Sequence, residues 1–72
     1  MAQLTHAQYD ALERAVADRS RISVFRRGAE YIVVPLVLTA HGGREAIEAR
    51  NPLTGDGIIL YLEDIDAIEV VR

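Results

Sequence analysis

Hydrophobic residues recur first at helical spacing and then at every second position. Tyr9, Leu12 and Val16 stand three and four apart within residues 4–18, with Ala11 and Ala15 beside them, which is the stripe of an amphipathic helix. Asp10, Glu13, Arg14 and Asp18 fill the other face. Thr5, with Gln8 three residues later, reads as a capping box, and Leu4 ahead of the cap is placed to staple against Tyr9. From Ser20 the period is two. Ile22 and Val24 point one way, and Ser23 and Phe25 the other, up to Arg26-Arg27-Gly28. Gly28-Ala29 predicts a tight hairpin turn. Residues 30–38 form a second strand. Pro35 has no N–H to give to a ladder, so a bulge, bend or edge is expected there. His41-Gly42-Gly43 turns the chain again. Residues 45–50 form a third strand, with Ile47 and Ala49 inward and Glu48 and Arg50 outward. Residues 51–57, rich in Gly, Pro, Asn and Asp, are a loop. Residues 58–61 are a fourth strand, 62–66 a single 3₁₀ turn, and 67–71 a fifth strand with Ile68 and Val70 alternating with Glu69 and Val71.

One helix and five short strands joined by tight turns predict a mainly β, α+β domain. The whole chain, residues 1–72, reads as one domain: a capping helix over 4–18 and a five-stranded Sm-like or SH3-like small β-barrel over 21–72. The second strand bends at Pro35 and serves both halves of the sheet. An open α+β sandwich is the competing arrangement. Seventy-two residues hold one domain and not two. The chain has no cysteine, so neither a disulfide framework nor a thiolate metal site staples it. No apolar run approaches the ~20 residues of a membrane span, and no signal peptide opens the chain. The expected setting is cytoplasmic, with no membrane partner.

Charge narrows the choice of partner. Eleven acidic residues stand against eight basic ones, for a net charge of −3, and every basic residue is Arg. Such a set follows from a GC-rich coding sequence, and it also suits bidentate phosphate contacts. Residues 1–36 hold five Arg and four acids, whereas residues 37–72 hold three Arg and seven acids. This is not the basic footprint of a strong nucleic-acid binder.

Catalytic chemistry finds little to work with. His6 lies in the first helical turn and His41 in a turn. Ser20 and Ser23 have no nucleophile elbow around them. Glu63, Asp64, Asp66 and Glu69 form an acidic cluster without calcium-loop spacing, so an acidic rim facing solvent or a basic protein is expected. Thr54-Gly55-Asp56-Gly57 lacks the lysine and following helix of a phosphate loop. No catalytic residue, metal ligand or cofactor is assigned, and the chain is not expected to be an enzyme. Arg26, Arg27, Arg44 and Arg50 are candidates for a basic face, since small barrels bind nucleic acid through strand faces and loop tips. Phe25, Tyr31 and Tyr61 could stack on bases, although Phe25 and Tyr31 read more naturally as core.

Residues 12–28, Leu-Glu-Arg-Ala-Val-Ala-Asp-Arg-Ser-Arg-Ile-Ser-Val-Phe-Arg-Arg-Gly, resemble the start of a WYL domain, a bacterial Sm-like barrel in which an Arg-ended helix runs into the first strand. Val34-Pro35-Leu36-Val37-Leu38 resembles that family's Val-Glu-Pro-Leu-x-Leu stretch without the Glu. Gly42-Gly43-Arg44 resembles the turn before its Trp-Tyr-Leu, where this chain has Glu45, Ala46 and Ile47. The stretch from Asn51 to Val70 resembles the family's ending. There its Phe-Arg-Leu-Asp-Arg-Ile is replaced by Leu60, Tyr61, Leu62, Glu63, Asp64 and Ile65, so both Arg of that motif are absent. The resemblance implies a ligand- or nucleic-acid-sensing module of transcription regulators. No helix-turn-helix accompanies it here. Tyr9-Asp10-Ala11-Leu12-Glu13-Arg14-Ala15 and Leu62-Glu63-Asp64-Ile65 also resemble segments of Rof, a small acidic Sm-like protein that binds the Rho terminator and occupies its RNA site.

The two resemblances agree on fold and on transcription, and differ on the partner. The first makes Arg26, Arg27, Arg50 and Tyr61 candidates for a small ligand or single-stranded nucleic acid. The second makes Glu63, Asp64, Asp66 and Glu69 candidates for another regulatory protein, with Rho as the example. Unpaired edge strands add a third expectation, a homo-oligomer.

Overall fold

Thr5 caps the helix as expected. In a computed structural model of the chain, which describes residues 4–71, the Thr5 side chain accepts from the Gln8 N–H and the Gln8 side chain accepts from the Thr5 N–H, each at 3.1 Å. Helix α1 (His6–Asp18) follows and ends at Arg19 in the left-handed conformation. Positions 1–3 and 72, read above as part of the domain, lie outside the described residues.

The strands are β1 (Ile22–Arg26), β2 (Ala29–His41), β3 (Arg44–Arg50), β4 (Gly57–Tyr61) and β5 (Ala67–Val70), with a 3₁₀ turn (Leu62–Asp64) before the last. They form one antiparallel sheet in the order β4-β3-β2-β1-β5. The division of β2 follows its sequence. Residues 29–33 pair with β1, with Val33 opposite Ile22, and from Val34 onward the strand pairs with β3. The register slips between Pro35 and Val37. A ladder position without an N–H is where a bulge costs least, so Pro35 marks the corner between the two halves of the sheet.

Four expectations are corrected. The first hairpin turns at Arg27-Gly28, one residue earlier than Gly28-Ala29. Arg26 pairs with Ala29, and both turn residues have positive φ, 50° and 80°, as a type I′ turn requires. Second, β2 runs on to His41, because the Gly42-Gly43 turn alone reverses the chain. Third, the barrel is not closed. Ile65, fully buried behind the 3₁₀ turn, carries the chain away from β4, and β5 then pairs with β1. Strands β4 and β5 are therefore the two edges. Fourth, Phe25 lies outside the core. It is half-buried on the face of β1 opposite Ile22 and Val24, whereas Tyr31 packs against the core.

Leu12 and Ala15 bring the helix stripe onto Ile22, Val24, Val33, Ile47, Leu60, Ile65 and Ile68. The helix lies across β2 and β5. Fully burying side chains of this size stabilises by about 1.5–3 kcal/mol each, and this shared core holds the helix to the middle strand and to the β5 edge of the sheet. Among the described residues no helix is long and apolar enough to cross a membrane.

Candidate functional site

The first hairpin, the second hairpin and the 3₁₀ turn meet at one rim. The type I′ turn projects Arg27, whose N–H donates to Asp66 Oδ2 at 3.2 Å and whose Nη2 lies 3.5 Å from Asp64 Oδ1. Arg44 comes from the start of β3, just past the Gly42-Gly43 turn. Its Nη2 is 3.8 Å from Asp64 Oδ2, and its Nε donates to Glu63 Oε1. The Arg44 guanidinium also lies over the Tyr61 ring, 3.9 Å from its centroid. That stacking follows from register. Tyr61 pairs with Ala46, and Arg44 is two residues from Ala46, on the same face of the sheet.

Two of the basic candidates and two of the acidic ones are therefore one connected network, Arg27–Asp64–Arg44–Glu63. Asp64 is its centre, with a side chain only 25% exposed against 79% for Arg27. Glu45 extends the negative charge. It accepts from the Tyr9 hydroxyl at 2.9 Å, and that hydrogen bond, followed by burial and the charges of Glu45 and Glu13, raises the Tyr9 phenol above its ordinary pKa. Counting Glu45, Glu63, Asp64 and Asp66 against Arg27 and Arg44, the rim carries two surplus negative charges. An open cleft of about 430 Å³ adjoins it, lined by Leu4, Tyr9, Gly43, Arg44, Glu45, Leu62 and Glu63.

Three sequence candidates take no part in these contacts. Arg26 stacks on Tyr31, 4.9 Å from the ring centroid, and donates to its hydroxyl at 3.2 Å. Arg50 is exposed at the end of β3, between Val34 and Gly57, with no ion pair among the described residues. Glu69 is exposed on β5 opposite Ser23. Ser23 and His41 are each engaged elsewhere: buried Ser23 donates to Glu30, and His41 Nε2 lies 3.2 Å from Glu48.

From the sequence Tyr9 belongs to the apolar stripe of the helix and to a staple with Leu4, and its pairing with Glu45 is not legible there. The signal was present in the residue type, because a tyrosine joins an apolar body to a hydroxyl that takes a polar partner. No protein-family model matches this chain, and no curated protein matches it.

Proposed function

We propose that the chain is a non-enzymatic binding module of bacterial transcription regulation, and that its rim of Glu63, Asp64 and Asp66 receives a basic surface of a protein partner. One observation carries this reading: Arg27 and Arg44 are already bonded to the rim's own carboxylates. A nucleic-acid backbone would have to displace those carboxylates and approach a net negative site. A cationic protein surface is instead steered toward it. The helix and the strand order are compatible with the Sm-like or SH3-like frame that both resemblances share. The resemblance to Rof makes Rho the first partner to test. Titrating Rho with the wild-type chain and with a Glu63→Gln/Asp66→Asn variant tests the reading. Affinity at least tenfold weaker in the variant supports it. Equal affinity, or no binding by the wild type, overturns it for Rho.

A second reading, a sensing module of the WYL type, draws support from exposed Arg50 and from the cleft beside Tyr9. Titration with a mixed-sequence single-stranded oligonucleotide at two salt concentrations separates the two readings. Under the second, log affinity falls with log salt by about 0.7 per phosphate neutralised, and Arg50→Ala weakens binding.

A further inference from the structure

The rim leaves the far edge of the sheet unexplained. Strand β4 pairs only with β3, so among the described residues one side of its backbone has no ladder partner. Natural edge strands are usually guarded by a charge, a proline or a bulge. The β4 sequence, Gly57-Ile58-Ile59-Leu60-Tyr61, has none of these. The opposite edge differs, because β5 carries Glu69 in its middle. Ile59 is 44% exposed at the centre of β4, and it continues a row across the outer face of the sheet through Glu48 to Val37, which is 42% exposed.

From this we infer that β4 is a self-association edge, pairing antiparallel with β4 of a second copy about a twofold axis through Ile59. The strand is self-complementary in one register. Centring on Ile59 places Ile59 against its twin, Ile58 against Leu60, and Gly57 against Tyr61. That is the only symmetric register that pairs all five residues. It also keeps the two cores on the same side of the joined sheet, because side chains alternate with a period of two. Each apolar residue meets an apolar residue, and no like charges oppose each other across the axis. An aromatic ring facing a glycine on the neighbouring strand is a recognised stabilising pair. The register also gives Arg50 a partner. Arg50 sits beside Gly57, which has no side chain to block it. Its guanidinium is placed to reach across the glycine toward the face of the second copy's Tyr61 ring that Arg44 does not cover. The contact is isologous and closes at two chains.

The test uses the full chain. Sedimentation equilibrium is expected to show the mass rising with concentration from the 8.0 kDa of one chain to twice that value and no further. Ile59→Lys places two ammonium groups on the axis and is expected to hold the protein at one chain, with its circular-dichroism spectrum unchanged. The chain has no cysteine, so an Ile59→Cys variant adds a sole thiol beside its twin. Mild oxidation is expected to cross-link it. The same treatment of Ile32→Cys, 41% exposed but on β2 beside Ser23 of β1 and away from the β4 edge, is expected to leave it largely uncross-linked. A wild type that stays single at millimolar concentration, a particle larger than two chains, or equal cross-linking of both cysteine variants overturns the inference.

Discussion

The Arg44 guanidinium sits over the Tyr61 ring while its nitrogens pair with Glu63 and Asp64. One side chain thereby joins β3, β4 and the 3₁₀ turn. Arg44 is about half exposed, so the ion pairs contribute only a few tenths of a kcal/mol and the stacking about 0.5–1 kcal/mol. Arg44→Ala is expected to lower unfolding free energy by about 1 kcal/mol. Arg44→Lys keeps the charge and loses the planar stack, so it is expected to recover less than half of that. Urea unfolding at low and high salt checks both, because salt weakens the ion pairs and leaves the stacking in place.

The first hairpin allows a test of sign. Arg27 holds a left-handed backbone, φ 50°, that costs a non-glycine residue about 1–2 kcal/mol. Arg27→Asn is expected to leave stability unchanged or raise it by up to about 1 kcal/mol, even though it deletes an ion pair, because Asn tolerates this conformation. Gly28→Ala is expected to destabilise by about 1 kcal/mol. Nothing lies within 4 Å of the added Cβ, so the loss comes from φ +80° alone. Thermal denaturation of the two variants is expected to move in opposite directions or to leave Arg27→Asn unmoved.

The raised pKa of Tyr9 makes stability depend on alkaline pH. Its hydrogen bond to Glu45 favours the neutral phenol in the folded state. The stabilisation is therefore complete below the unfolded tyrosine pKa of about 10 and is lost as pH rises through the higher folded value. Ultraviolet titration of Glu45→Gln is expected to return Tyr9 toward its ordinary range. Stability measured from pH 9 upward is expected to fall less steeply in Tyr9→Phe than in the wild type.

Leu12 is fully buried and is the residue through which the helix stripe enters the core. Leu12→Ala is expected to cost about 2–5 kcal/mol. A domain this small has little more than about 5 kcal/mol in total, so the variant is expected to be partly unfolded at 37 °C, which near-ultraviolet circular dichroism would detect.

What the sequence revealed and what it hid divide along physical lines. The capping box is legible because it is local: Thr5 and Gln8 are three residues apart and need nothing else. Strand positions were legible for the same reason, because alternation of period two is written in neighbouring residues. The exact turn is ambiguous in the sequence because Gly28 suits either turn position, and only the pairing of Arg26 with Ala29 decides between them. The rim was hidden more deeply. Asp64 meets Arg27 and Arg44 through three separate chain reversals, so residues read as rival basic and acidic surfaces are one network. Whether the barrel closes was equally invisible. Strand count says nothing about whether the two edges touch, and here the burial of Ile65 directs β5 to β1.

The strand order also governs how the chain folds. Three of its four strand pairings join consecutive strands, so β1 to β4 can zip together hairpin by hairpin from neighbouring segments. The fourth, Ile22 with Val70 and Val24 with Ile68, joins segments far apart in the sequence. Closing so large a loop is the slow, entropically demanding event. Until Ala67–Val70 docks, β1 therefore presents a bare edge from Ile22 to Phe25. The docking of Ala67–Val70 is expected to be the slow step of folding, and it covers a strand edge that would otherwise be open to intermolecular pairing.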